Sequence, residues 1–309
     1  MRKVICLGRI WNLALTKEQM SCPFESQHPF FVGIDSDGCV FDTMEVKQKQ
    51  FFLPITLDFW GWHQIEEPLR AVWEFVNLYS IHRGNNRFVA FNLVLDLLPT
   101  HPAFDAMQIA LPDFRVLKTW LEKENQLGNP ALKKQVEQTG DPILTKVLEW
   151  SETVNRAIKK ELPIIHPFEP VRQTLSLLQQ HADIMVVSQT PHEALVREWT
   201  THQLDSVVRY IAGQEHGTKA EQLTWAAIER YPRDSILMVG DSPGDLQAAE
   251  QIGVCFFPIL PGEETASWEI IRTEVMERFF QGSFRGSFEQ EHIQAFKALL
   301  PSEPPWKKV

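Results

Sequence analysis

The chain has 309 residues, 44% of them hydrophobic and 23% charged, with 15 Gly and 20 Pro, which excludes a collagen-like, low-complexity or largely disordered protein. Its formal net charge of -10, from 40 acidic and 30 basic residues, repels phosphate backbones and argues against nucleic acid as a partner. A small anion remains an acceptable substrate if a metal and a few local cations outweigh that field.

Cys6, Cys22, Cys39 and Cys255 form no CxxC pair. This argues against a zinc site and a disulfide framework, and suits a reducing cytoplasm. The N-terminal stretch VICLGRIWNLAL has a faint signal-like character, but Arg9 interrupts it and no small-x-small cleavage site follows. No uninterrupted apolar run approaches the ~18 residues needed to span a bilayer. The expectation is a cytoplasmic protein without a membrane segment, in which residues 1–29 form an extension of no assigned role.

The first regular element is FFVGI, a short β-rich run that breaks at Asp35-Ser36-Asp37-Gly38. Such a run reads as a buried parallel strand opening into a loop at its carboxyl end. From residue 45 the periodicity becomes helical, over 66–79, 87–98, 113–125, 130–139 and 143–160, with turn-rich connectors and no strand. Beyond His166, helices alternate with the runs ADIMVVS, VVRYIAG, SILMVGD and VCFFPI. The C-terminal part is helical and ends in the polar, Pro-rich SEPPWKKV.

The pattern predicts an α/β fold: a doubly wound parallel sheet interrupted after its first strand by an all-helical insert. The expected division is 30–44 and 164–309 for the sheet domain and 45–163 for the insert. Open parallel sheets bind ligands at the carboxyl ends of their strands, so the chemistry is expected there.

Four groups fall at such ends. The first strand leads to Asp35 and Asp37, the strand after the insert ends at Ser188, Lys219 opens a helix, and SILMVGD leads into Asp241 and Asp245. A carboxylate can attack a phosphate ester only if a divalent cation and nearby donors neutralise the mutual repulsion. Asp35 and Asp241 would offer two carboxylates to one hard cation, which suits magnesium. The Ser188 hydroxyl and Lys219 ammonium can hold the phosphoryl oxygens, and Asp37 lies close enough to exchange a proton with the leaving group and water.

These motifs, in FFVGIDSDGCVFDT, IMVVSQT, GQEHGTKAEQL and ILMVGDSPGD, resemble those of the haloacid dehalogenase superfamily of phosphohydrolases. The resemblance implies a Rossmann-like core with an enlarged helical cap between the first and second motifs. It implies Asp35 as nucleophile and Asp37 as general acid/base. Magnesium would be held by Asp35, Asp241 and the backbone carbonyl of Asp37, with Asp245 in support, and Ser188 and Lys219 would bind phosphate. The expected activity is magnesium-dependent hydrolysis of a small phosphorylated metabolite through an aspartyl-phosphate.

A phosphomutase would use the same core, and a non-catalytic binding protein would be expected to have lost part of the set. Within the superfamily, Asp37 argues against dehalogenase and phosphonoacetaldehyde hydrolase chemistry.

In the insert, Arg83 and Arg87 flank a Gly-Asn-Asn turn and are candidate specificity residues, since a guanidinium fork binds carboxylate or phosphate. The alternative is a pair of ordinary helix-end arginines. Lys47 and Lys49 either line the cleft or form a solvated helix face.

Overall fold

A computed structural model describes residues 24–307. Cys6, Cys22 and the signal-like stretch lie outside the described residues.

Five parallel strands form one sheet in the order β3-β2-β1-β4-β5, where β1 is Phe30–Ile34, β2 Ala182–Val187, β3 Tyr210–Ala212, β4 Ile236–Gly240 and β5 Cys255–Pro258. Both faces are covered, so the strands read as continuous apolar runs rather than alternating ones. Val32 and Ile34 of β1 pack into one layer with Leu175, Trp199 and Trp268, while Phe31 packs into the opposite layer with Leu223, Leu246 and Phe296.

The insert that follows β1 holds eight α-helices: α1 (Thr43–Lys47), α2 (Leu53–Trp60), α3 (Glu66–Asn77), α4 (Arg87–Leu97), α5 (Pro102–Met107), α6 (Arg115–Lys123), α7 (Asn129–Thr139) and α8 (Pro142–Glu161). The core adds α9 (Val171–Leu178), α10 (His192–Thr201), α11 (Lys219–Leu223), α12 (Pro243–Ile252), α13 (Glu264–Ile270), α14 (Met276–Phe280) and α15 (Ser287–Leu299).

The inserted helices bury their own aromatic core. Phe91 stacks on Trp150 with ring centroids 4.7 Å apart, and the Trp150 indole N–H donates to Thr56 Oγ1 at 3.0 Å. The apolar faces of these helices therefore close on each other rather than on the sheet, as in an independently cored layer.

Residues 43–60 carry no single helical period in the sequence. They form α1 and α2 joined through a π-turn at Gln48–Phe52. The extra residue of that turn shifts the apolar phase, which hides a single 3.6-residue period. The short α5 is likewise not legible in the sequence, because six residues carry too little periodicity.

The C-terminal tail does more than its polar composition suggests. Pro301 O accepts from Ile81 N at 3.3 Å, and Trp306 packs against Phe75 and His101 of the inserted helices. The tail thus runs from the sheet domain onto the cap.

Candidate active site

The carboxyl ends of β1, β2 and β4 bring the motif residues together. Asp35 follows β1 directly, and its N–H donates to Val239 O at 3.0 Å, extending the ladder to the rim. Ser188 follows β2 and is tied to the next strand through Ala212 O at 3.1 Å. Asp241 follows β4, and Lys219 is the first residue of α11, whose start is closed by a Thr218–Glu221 capping box.

Asp245 serves two structures at once. Its Oδ2 accepts from Ser242 N at 3.0 Å and Ser242 Oγ at 2.6 Å, capping α12, while its Oδ1 lies 2.5 Å from Lys219 Nζ. Lys219 also reaches Asp35 Oδ2 at 2.6 Å, and Asp35 Oδ1 accepts from Ser36 N at 2.7 Å. Gly38, at φ +80°, passes so close to this cluster that a Cβ there would collide with the Asp241 carboxylate.

Asp37 is held by a different set. Lys47 Nζ lies 2.7 Å from both of its oxygens, Thr190 Oγ1 donates at 2.7 Å, and Thr43 Oγ1 donates to Oδ1. Burial alone would raise this carboxyl, but the Lys47 charge and the three donors outweigh it and hold the group below the ordinary range. The side chain keeps 16% of its surface open, whereas that of Asp35 keeps 6%.

Burial is the largest influence on Asp35 and Asp241 too, and there it prevails. Asp35 is pushed up against the pull of Lys219, with the charges of Asp245 and Asp241 adding to the rise. Asp241 is pushed up against the pull of Arg83, with Asp245 adding. Lys219 moves up despite burial because Asp245 and Asp35 flank it. Three carboxylates crowd two cations in a buried space, so the site is short of positive charge.

That shortage is the test of whether a metal fits. One ligand oxygen from each of Asp35, Asp241 and Asp245 lies within 4.8 Å of the others. Asp241 Oδ1 is buried without a hydrogen-bond partner. An all-oxygen, over-negative set with an orphaned carboxylate oxygen suits a hard divalent cation.

Of the two candidate cap arginines, only Arg83 comes here. Its Nη2 lies 2.7 Å from Asp241 Oδ2. Arg87 stays within the cap, where Nη1 donates to Ser151 Oγ at 3.1 Å and Asn155 Oδ1 at 2.7 Å, and the guanidinium lies over the Phe52 ring. Lys47 faces the cleft, while Lys49 binds Glu45 and Tyr79.

Sequence reading passed over Thr43, Thr190 and Glu198. Thr43 and Thr190 sit within or beside quoted motifs, so proximity in sequence was a usable signal. Glu198, on α10, is driven up to about 7 by burial and by the Asp37 charge, and no spacing pattern pointed to it.

The family described as haloacid dehalogenase-like hydrolase matches residues 100–259, just over half of the chain. No curated protein sequence matches it. Among solved structures, the chain is similar to a predicted phosphoglycolate phosphatase from Haemophilus somnus, at 18% identity and TM-score 0.48, covering 75% of this chain and 86% of that one. A predicted phosphatase from Clostridium acetobutylicum is similar at 13% identity and TM-score 0.43, covering 81% and 100% respectively. A haloacid dehalogenase-like family protein from Streptococcus pneumoniae is similar at 10% identity and TM-score 0.41, covering 78% and 90%. At these identities and TM-scores the likeness carries no information about substrate. Among the described residues, no helix is long and apolar enough to cross a membrane.

Proposed function

We infer that this chain, which belongs to the haloacid dehalogenase-like hydrolase family, is a magnesium-dependent phosphatase that hydrolyses a small phosphorylated metabolite through an aspartyl-phosphate. The observation that carries this reading is the convergence of Asp35, Asp241, Asp245 and Lys219 at one rim of the sheet, with Asp241 Oδ1 unpartnered. Asp35, Asp241 and Asp245 would hold the cation, with the Asp37 carbonyl as the family resemblance implies. Bound there, it would offset the repulsion between carboxylate and phosphate.

The chain's own residues do the rest. Asp35 attacks phosphorus, the leaving oxygen departs, and Asp37 supplies the proton that oxygen takes up. In the second half, Asp37 accepts a proton from water as the water attacks the aspartyl-phosphate, releasing inorganic phosphate and restoring Asp35. Lys219 and the Ser188 hydroxyl hold the phosphoryl oxygens. Lys47, Thr43 and Thr190 fix the Asp37 carboxylate in place and favour its ionised form, which serves the second half-reaction more than the first.

The near-complete burial of Asp35 under the cap also favours a phosphomutase, which must keep water from the aspartyl-phosphate. Phosphate release from a panel of phosphorylated metabolites with magnesium, beside isomer interconversion on sugar phosphates, separates the two. Release that is lost in Asp35→Asn supports hydrolysis. An Asp35→Asn protein as active as the parent on every substrate would end the proposal.

A further inference from the structure

Arg83 belongs to the cap, on the turn between α3 and α4, yet its guanidinium is 2% exposed and lies inside the core site. Its Nε donates to the Asp241 backbone carbonyl at 3.1 Å and to Oδ2 at 2.9 Å, and Nη2 lies 2.7 Å from Oδ2. Nη1 donates to Leu78 O at 3.1 Å, which orients the fork from the cap side. The turn itself rests on the core: Gly84, at φ +77°, has no room for a Cβ, which would strike the Ser242 side chain. Two buried charges persist in such a place only when paired, so Arg83 and Asp241 depend on each other.

Asp241 is also one of the three carboxylates that form the candidate metal site. We propose that Arg83 is an internal cation that competes with the divalent metal for Asp241, so that metal binding and docking of the cap turn oppose each other. The inference rests on the metal-dependent reading of the site.

The physical reason is charge. Asp35, Asp241 and Asp245 against Lys219 and Arg83 leave one negative charge in excess, and a dication turns that into one positive charge in excess. A guanidinium and a dication sharing one buried carboxylate repel strongly at low dielectric. Lys219 divides its charge between Asp35 and Asp245 and is anchored on the core helix α11. Arg83 rides on an element with a separate hydrophobic core, so it is the cation that can withdraw. Withdrawn from Asp241, its fork is free to meet an arriving phosphate dianion.

The test is metal binding by the full chain without substrate, read as loss of the free manganese(II) electron paramagnetic resonance signal. Amide hydrogen exchange over residues 79–86 is followed with and without manganese. Arg83→Met should bind manganese at least about tenfold tighter than the parent, because a nearby like charge is gone. Arg83→Lys, which keeps the charge but loses the fork, should fall between them. In the parent, manganese should speed exchange over residues 79–86 and leave α8 unchanged.

Equal or weaker binding by Arg83→Met, or exchange indifferent to manganese, overturns the inference while leaving the metal site standing. If Arg83→Met does not fold, Arg83→Lys decides: affinity at or below the parent's overturns the inference. No manganese binding by any of the proteins overturns the metal site and this inference together.

Discussion

The two ends of the central sheet each bury an acidic residue, with opposite consequences. At the amino end of β2, Asp183 is fully buried, and its Oδ2 accepts from Gln27 N at 2.8 Å, His28 N at 3.1 Å and Tyr231 Oη at 2.7 Å. Its Oδ1 makes no hydrogen bond, but the Arg209 guanidinium faces it with Nε at 3.5 Å. That carboxylate pins the segment entering β1 to the sheet. At the carboxyl end, Asp35, Asp241 and Asp245 crowd each other, three carboxylates against the two cations Lys219 and Arg83. A single carboxylate offset by fixed donors and a facing cation stabilises a fold; negative charge in excess of its cations is available for a ligand, and natural sites keep such cost where function requires it.

The largest expected effect lies at the carboxyl end. Asp35→Asn should lower turnover by at least about 10⁴-fold, as removal of a nucleophile does. Its melting temperature should hold or rise, since one of three crowded carboxylates is neutralised. A clear fall in Tm would show that Asp35 belongs to the stabilising class and would break the contrast.

The opposite end should respond the other way round. Asp183→Ala removes an acceptor shared by two backbone N–H groups and the Tyr231 hydroxyl. This should cost about 2–4 kcal/mol of stability in a urea titration while turnover per folded molecule stays unchanged. A turnover defect in fully folded protein would mean that this end also reaches the chemistry.

Lys47→Met sharpens the comparison within the rim. Without the ammonium that holds Asp37 ionised, turnover should drop about 10–100-fold with a smaller change in KM. An unaltered kcat would reduce Lys47 to a structural partner.

The smallest effect is in the pH dependence of stability. Glu198 has its folded value raised from 4.5 to about 7, so in that window the folded protein holds a proton that the unfolded chain releases. This contribution to stability is complete below about pH 4.5 and is lost as pH rises toward 7. Glu198→Gln should flatten that decline, read as the difference in Tm between pH 5 and pH 8. The same slope in parent and variant would remove Glu198 from the account.

The parallel sheet was readable because its buried strands are unbroken apolar runs that stop abruptly at polar loops. Asp35, Ser188 and Asp241 stand out for the same reason, since each follows such a run, whereas Lys219 stands out as the residue that opens a helix. The helical character of the insert showed in its spacing, whereas the π-turn at Gln48–Phe52 concealed residues 43–60. Trp306 gave no hint that it would settle on the cap, because a single aromatic residue in a Pro-rich tail has no period.

Sequence alone therefore determined the order of elements and the residue types at the strand ends, because these follow from local backbone preference and apolar patterning along a continuous chain. Tertiary structure decided which groups share a charge: Arg83 and Asp241 meet across 158 residues, and Thr190 beyond β2 joins Thr43 and Lys47 of α1 on Asp37. Electrostatic partnership depends on distance in space and on burial, and neither quantity is written in the spacing of residues along the chain.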